Sequence, residues 1–531
     1  MSAAAALSRF ALLLALSGAG TAAIADAPSD IDARIEAVLA AQGVPGMALA
    51  IVQDGKVVLA RGYGVRRLGA PEAVDADTIF PLGSVSKAFT SAALAVLVDD
   101  GKIGWDDRVI DHLPGFRMYD PWVTREITVI DLLVHRSGLG LGAGDLLFVP
   151  RTSRSRADIV HALRHIKPAT SFRSGYAYDN VLYVVAGQLV EAVSGQSWEA
   201  FVRERLLAPA GMATATTDAE ARFASINRVQ PHARLDGRIR GIGKQEPLDE
   251  RATLVAGPVA PAGGVTASAN DMARWLLVQL SRGAVPGASE DGARVFSAAA
   301  SEAMWTPHVT MPIGRYPPPV AEATPQFSAY ALGWDVTDYR GTKLLEHGGA
   351  VFGAQALVVL VPGHDLGFAM QINSEDGVVL RGMMYELLDH FLDAPKRDWV
   401  ADFAHYKKAR VDAALVALDA TQAQAKPSKP SLPLSGYVGT YVDPWYGAIG
   451  ITEEKGALRI DFRQSPGMAG TLEHFQFDTF RTRWDDRSIE AAYVTFALDA
   501  DGKVARIDLK PVSPLADFSY DYQDLQFIPQ D

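Results

Sequence analysis

An α+β fold is predicted for the larger part of this 531-residue chain, an antiparallel sheet flanked by helices and interrupted by a helical subdomain, with a small β-barrel behind it. Three observations predict it. Strand-like runs stand at both ends of a long helical stretch. Two helices in that stretch are apolar on nearly every side. Beyond a segment rich in Pro, Ser and Lys the pattern turns to short strands alone.

Taken in order, the chain opens on Arg9, an apolar run from Phe10 to Leu16 and small residues ending Ala23-Ile24-Ala25. That is the charged, apolar and small-residue order of a cleaved export signal, and the apolar run is too short to span a bilayer. Residues 1–25 are expected to be removed, leaving a periplasmic or secreted protein. Met47 to Val52 and Lys56 to Ala60 flank Asp54-Gly55, a dipeptide suited to the positive φ angles of a hairpin turn. Ser84 to Asp100 leaves almost no polar face and stops at Gly101, which reads as a buried helix.

Residues 105–310 read as mainly helical, with Val181 to Val193 ended by Gly195 and Ala269 to Arg282 opened by the capping box Ser268-Ala269-Asn270-Asp271. Strand signals return at Tyr330 to Val336, Lys343 to Glu346, Gln355 to Val361 and Leu366 to Ile372, before a closing helix at Val378 to Leu392. The first domain is thus expected over 26–395, and a helical segment and linker over 396–433. The linker signal is the run QAQAKPSKPSLPL, which begins at Gln422. A barrel or sandwich is expected over 434–531, from runs such as Ala457 to Phe462, Phe475 to Phe477, Ala492 to Leu498 and Val504 to Leu509.

Composition removes several classes of function. A formal charge of −12 and the lack of a basic stripe argue against nucleic acid as a partner. With no cysteine, disulfides, thiolate catalysis and Cys-based zinc sites are excluded, and no second apolar stretch approaches membrane-spanning length. His161 and His165 have helical metal-ligand spacing but no accompanying Glu or Asp pattern, so no metal is expected. Gly138-Leu139-Gly140-Leu141-Gly142 lacks the βαβ context of a dinucleotide site and reads as a flexible loop.

Three short motifs carry chemistry. Ser84-Val85-Ser86-Lys87 begins the buried helix, and positions three apart share a helix face, so the Ser hydroxyl and Lys amine can meet. Burial there would lower the Lys pKa, and the helix N-terminus would favour developing negative charge. Tyr178-Asp179-Asn180 opens the next apolar helix, with Asn180 placed as an N-cap and Tyr178 near enough to a cation for partial phenolate character. The plainer alternative is a capped helix with a packed tyrosine. His347-Gly348-Gly349-Ala350 follows a strand run, and its glycines allow a substrate to approach a sheet edge. Its plainer alternative is a glycine-rich hairpin with an exposed histidine.

In that chain order the three motifs resemble those of the serine β-lactamase and penicillin-binding-protein superfamily. His135-Arg136-Ser137-Gly138-Leu139, Ala262-Gly263-Gly264-Val265 and Leu332-Gly333-Trp334 extend the resemblance to its class C β-lactamase-related, esterase and D-aminopeptidase branch, over about residues 30 to 395. The resemblance implies a β-lactamase/transpeptidase-like fold and Ser84 as nucleophile. It makes Lys87 and Tyr178 the base and acid in an order left open, and Asn180, His347, Gly348, Gly349 and Ala350 substrate-binding residues. The N–H groups of Ser84 and Ala350 form the oxyanion hole, and no cofactor is required. Short or unusual peptides, including D-residue peptides, are the expected substrates, ahead of esters and β-lactams. A peptide- or peptidoglycan-binding module without turnover is the competing class.

Two departures bear on substrate. His347 stands where most lactamases have Lys, a weaker and pH-dependent cation. Asp179 replaces the usual Ser or Ala and is expected to face solvent. Leu434-Ser435-Gly436-Tyr437-Val438-Gly439-Thr440-Tyr441 with Tyr446-Gly447 resembles the lipocalin-like C-terminal domain behind many peptidases of this kind. That implies a barrel that covers the active-site mouth or mediates a homo-oligomer, with plain packing the simpler role.

Overall fold

The computed structural model describes residues 27–287 and 292–530; the expected export signal, residues 1–25, lies outside the described residues. Asp54-Gly55 turns the chain with both residues at positive φ, so β1 (Gly46–Gln53) and β2 (Lys56–Gly64) form the expected hairpin. The sheet continues with β3 (Val309–Thr310), β4 (Ser328–Tyr330), β5 (Asp335–Tyr339), β6 (Thr342–Val351), β7 (Ala354–Val361) and β8 (Leu366–Ile372). All eight strands are antiparallel, in the order β2-β1-β8-β7-β6-β5-β4-β3. The chain therefore leaves the sheet after β2, builds the helical subdomain and returns, and β8 closes against β1.

Period-two alternation sorts the central strands into two apolar faces. Ala48, Ala50, Val358 and Ala369 face one core; Met47, Leu49, Ile51, Val359, Phe368 and Met370 face the other. Small residues on the first face let helices approach closely. Those helices are α2 (Ser86–Asp99), α3 (Val181–Ser194) and α4 (Ala269–Leu280), and Phe89 of α2 stacks on Trp275 of α4 with ring centroids 4.0 Å apart. The second face is covered by α1 (Ile31–Gln42) and α5 (Val378–Phe391). Every residue of α2 from Ser86 to Leu97 is buried, as a helix without a polar face requires.

Two strand expectations are corrected. Tyr330 to Val336 is not one strand: Ala331 to Trp334 forms a tight turn between β4 and β5, with Gly333 at φ 80, so alternation of apolar residues continued through a turn. Phe475 to Phe477 marks a hairpin end, because Phe477 itself adopts a positive φ between the strands Ala469–Gln476 and Thr479–Trp484.

Beyond α5, helix α6 (Trp399–Gln424) is anchored at its start by Trp399, whose indole Nε1 donates to Asp389 Oδ2 at 2.7 Å, and is mostly exposed thereafter. Residues 425–433 then lead into a closed eight-stranded antiparallel barrel: β9 (Gly439–Asp443), β10 (Gly447–Glu454), β11 (Ala457–Phe462), β12 (Ala469–Gln476), β13 (Thr479–Trp484), β14 (Ala492–Leu498), β15 (Val504–Pro511) and β16 (Gln526–Pro529). Closure leaves no free sheet edge. The segment between β15 and β16 leaves the barrel and packs on the first domain. No helix among the described residues is long and apolar enough to cross a membrane.

Candidate active site

Ser84 lies on a 3-10 turn, Gly83–Val85, that feeds into α2, so the α-helix starts two residues later than expected from the sequence, at Ser86. Gly83 has φ +54, and a Cβ there would stand 2.6 Å from the Ala350 nitrogen; a Cβ on Gly349 would stand 1.9 Å from the Leu82 carbonyl oxygen and 3.0 Å from the Ser84 nitrogen. Strand β6 can lie against the serine turn only because both positions are glycine, and that approach sets Ala350 beside the Ser84 turn. Gly349→Ala is expected to lower stability by about 1–3 kcal/mol and to slow acylation, checked by urea melts and by probe labelling of the same sample.

Lys87 is fully buried. Its Nζ lies 3.0 Å from Ser84 Oγ, 2.7 Å from Asn180 Oδ1 and 3.0 Å from the Ala262 carbonyl oxygen. Its neighbours on α2 hold the same strip of chain: Thr90 Oγ1 donates to the Pro261 carbonyl at 2.7 Å, and Ser86 Oγ accepts from the Val265 N–H at 2.9 Å. Polar side chains on an otherwise apolar helix thus clamp the Ala262-Gly263-Gly264-Val265 segment. Burial pushes the Lys87 amine down to about 7, against the opposing pull of Asp145 and Asp179. In its neutral form the amine has two N–H donors, matching Asn180 and Ala262, and one lone pair free for the Ser84 hydroxyl.

Tyr178 shares a cavity wall with Ser84, its ring centroid 4.8 Å from Lys87 Nζ, and burial holds its phenol well above the ordinary range. It is a neutral phenol, not the partial phenolate expected from a nearby cation, because desolvation outweighs that attraction. The structure brings Ser84, Lys87, Tyr178 and Asn180 together; Asn180 holds the N-cap position of α3, but its side chain makes no capping bond. Its Nδ2 donates to Asp145 Oδ2 at 2.8 Å, and the cap passes to Asp179, whose Oδ1 accepts from the Leu182 N–H at 3.3 Å. Asp179 is completely buried rather than solvent-facing; three neighbouring polar groups, the Leu182 N–H, Ser137 and His135, draw it inward.

His347 also departs from expectation. It lies inside β6, not beyond a strand, and is 3% exposed. Since a carbonyl only accepts, its Nδ1–H donates to the Gly348 oxygen at 2.7 Å, leaving Nε2 to accept from the Tyr330 hydroxyl at 2.8 Å. Both nitrogens are satisfied in one neutral tautomer, and burial pushes the imidazole down to about 3. A pH-dependent cation is thereby replaced by a fixed neutral group.

Ser84, Tyr178 and His347 line a cavity of about 500 Å³. Gly348, Gly349 and Ala350 form its sheet-edge wall, and Asp335, on the neighbouring strand β5, and Arg381 line it as well. Arg381 is paired with Glu346 at 2.9 Å, and burial with the nearby Glu346 pushes the Asp335 carboxyl up to about 8. Three further wall residues, Asp517, Phe518 and Ser519, come from the barrel. The Phe518 ring packs edge-on to Tyr178 with centroids 5.7 Å apart. Sequence reasoning missed these residues and Asp145. The Gly138 to Gly142 loop just before Asp145 is packed, with the Gly142 N–H on the Tyr178 carbonyl at 2.8 Å and the Gly138 carbonyl taking the Ala169 N–H at 2.9 Å. A lone Asp in the apolar run after those glycines was the available signal.

Comparison with known proteins adds relatives to this geometry. A family model described as Beta-lactamase matches residues 31–391, and a domain of unknown function (DUF3471) matches residues 423–529. Over 443 residues the chain is 30% identical to Unguisins hydrolase ungD' of Aspergillus campestris (strain IBT 28561), covering 80% of this chain and 77% of that one. It is 31% identical over 347 residues to Penicillin-binding protein 4 of Amycolatopsis lactamdurans, covering 64% of this chain and 84% of that one. The octameric penicillin-binding protein homologue from Pyrococcus abyssi shares the fold, with a TM-score of 0.56 at 20% identity over 94% of this chain and 99% of that one.

Proposed function

This chain belongs to the Beta-lactamase family, and from that premise we propose that it hydrolyses amide bonds of short or unusual peptides through an acyl-enzyme on Ser84, after export from the cytoplasm. The observation that carries the reading is the 3.0 Å contact between Ser84 Oγ and the Nζ of a buried lysine held near neutrality. Neutral Lys87 accepts the Ser84 proton as Oγ attacks the carbonyl carbon. Negative charge on the carbonyl oxygen is met by the N–H groups of Ser84 and Ala350. Tyr178, the weaker acid, gives its proton to the departing amine, and the Lys87 ammonium returns one to the phenolate. Water then releases the acyl group by the reverse path, and the Ser84 hydroxyl is restored.

The cavity wall supports a peptide over a β-lactam. His347 and the protonated Asp335 carboxyl offer no charge, Arg381 is already paired with Glu346, and Asp517 is an acidic residue. A ligand carboxylate beside the scissile bond finds no free cation among these groups, whereas a neutral or amine-bearing chain meets no repulsion. The relatives named as hydrolases support hydrolysis and carry no substrate over.

The test is turnover on a panel of L-peptides, D-peptides, esters and nitrocefin, with intact-mass detection of a covalent adduct. Amine-bearing or amidated peptides are expected to exceed nitrocefin in kcat/KM by at least about tenfold. Faster nitrocefin turnover overturns the peptide reading, and a folded protein with neither adduct nor turnover overturns the enzyme.

A further inference from the structure

We propose that the C-terminal barrel positions the base of the Ser84 site through a chain of side chains, Ser519, Asp145, Asn180 and Lys87, in which Asp145 is the positioning residue. The inference rests on the reading of Ser84 as nucleophile and Lys87 as its base. Its starting point is the Asn180 amide, whose two ends are alike in shape and opposite in hydrogen bonding. Lys87 needs the oxygen end, which it has at 2.7 Å. Rotated by half a turn, the amide would set its NH2 against the N–H donors of the amine.

Asp145 prevents that rotation. Its Oδ2 accepts from Asn180 Nδ2 at 2.8 Å, and a carboxylate oxygen can receive only the NH2 end. The barrel holds Asp145 in turn. Ser519 Oγ donates to the same Oδ2 at 2.8 Å, and Asp521 accepts the N–H groups of Gly144 at 2.8 Å and Leu146 at 3.0 Å, the residues on either side of Asp145. Both clamping residues lie on the segment between β15 and β16. Asp145 is itself fully buried and its Oδ1 has no hydrogen-bond partner. A buried carboxylate with one oxygen unused is costly, so its placement is not accounted for by stability.

The charges around this chain give the role a signature. Lys87 faces Asp145 and Asp179, with His135 and His347 kept neutral by burial; Asp145 faces Lys87, Asp517 and Asp521. Burial pushes the Asp145 carboxyl up to about 7, so it loses its proton over the same range as Lys87; its ionised form raises the Lys87 pKa, and removing that charge lowers it and leaves the amine neutral at lower pH. Asp145→Asn keeps an oxygen for Asn180 Nδ2 and loses the charge. Asp145→Ala loses both. Ser519→Ala weakens the barrel's grip without touching Asn180 or Lys87.

The experiment uses the full chain and measures the rate of Ser84 labelling by a fluorophosphonate probe across about pH 5 to 9, with a thermal melt for every variant. For Asp145→Asn the acid limb is expected to move down by on the order of one pH unit, with the limiting rate within about tenfold of the parent. Asp145→Ala is expected to lose about 100-fold in limiting rate, and Ser519→Ala several-fold with a smaller downward move. Where Asp145→Ala fails to fold, the other two, which keep the bulk of the site, decide. Coincidence of the Asp145→Asn and Ser519→Ala profiles with the parent overturns the proposal, as does a fall in rate that tracks lost melting temperature with the acid limb fixed. Ser84→Ala is run alongside. Labelling that survives it defeats the nucleophile reading itself, whereas its loss beside unmoved Asp145 and Ser519 profiles defeats only the positioning.

Discussion

Ser84→Ala is expected to abolish the covalent adduct and to cut amide turnover by about 10⁵–10⁶-fold. The change removes one oxygen from a half-buried turn, so the backbone, the Gly83 and Gly349 approach to β6 and the Ala350 N–H stay where they are. What is lost is the atom that forms the ester. Residual rate over water then comes from the two N–H groups at the carbonyl oxygen and from binding. Folding should hardly notice: one side-chain hydrogen bond contributes about 0.5–1.5 kcal/mol, and the freed Lys87 lone pair needs no donor. The check is intact mass after probe treatment together with single-turnover hydrolysis. An alanine variant that retains more than a small fraction of the parental rate places the nucleophile elsewhere.

Lys87→Ala is expected to lower kcat/KM by about 10²–10⁴-fold, with loss concentrated in acylation. In the parent, the rate should fall about tenfold per pH unit below about 7, because the base works only when neutral and its folded pKa lies near that value. Between about 7 and 10.5 the unfolded chain binds the Lys87 proton and the folded chain does not, so this group makes stability rise with pH through that window. Asp145, pushed up to about 7 from 3.8, acts in the opposite sense at lower pH: the folded state holds its proton longer, and stability from this group falls as pH rises through that range. Lys87→Arg should not rescue activity, since a guanidinium does not lose its proton at these pH values. An acid limb that persists unchanged in Lys87→Ala would assign it to another group.

The fold was legible where the signal is local. Asp54-Gly55 between two strand runs, an all-apolar stretch stopped by Gly101, and Ser268 with Asp271 at a helix start each act within a few residues, and each formed the expected element. Tyr330 to Val336 was misread because period-two alternation cannot tell a strand from a strand, a tight turn and a second strand. In the site, Ser84 and Lys87 were legible because three residues of helical spacing fix their separation before any packing occurs.

By itself, then, the sequence determined the α+β architecture, the order of its motifs and the pairing of one hydroxyl with one amine. Only the tertiary structure decided the charges and the walls. His347 is neutral, Asp179 is buried and Tyr178 keeps its proton because elements far away in the chain exclude water from them. Ser519 reaches Asp145 across 374 positions. Backbone geometry is set by near neighbours, whereas ionisation is set by desolvation, and desolvation depends on every segment that arrives to cover the site.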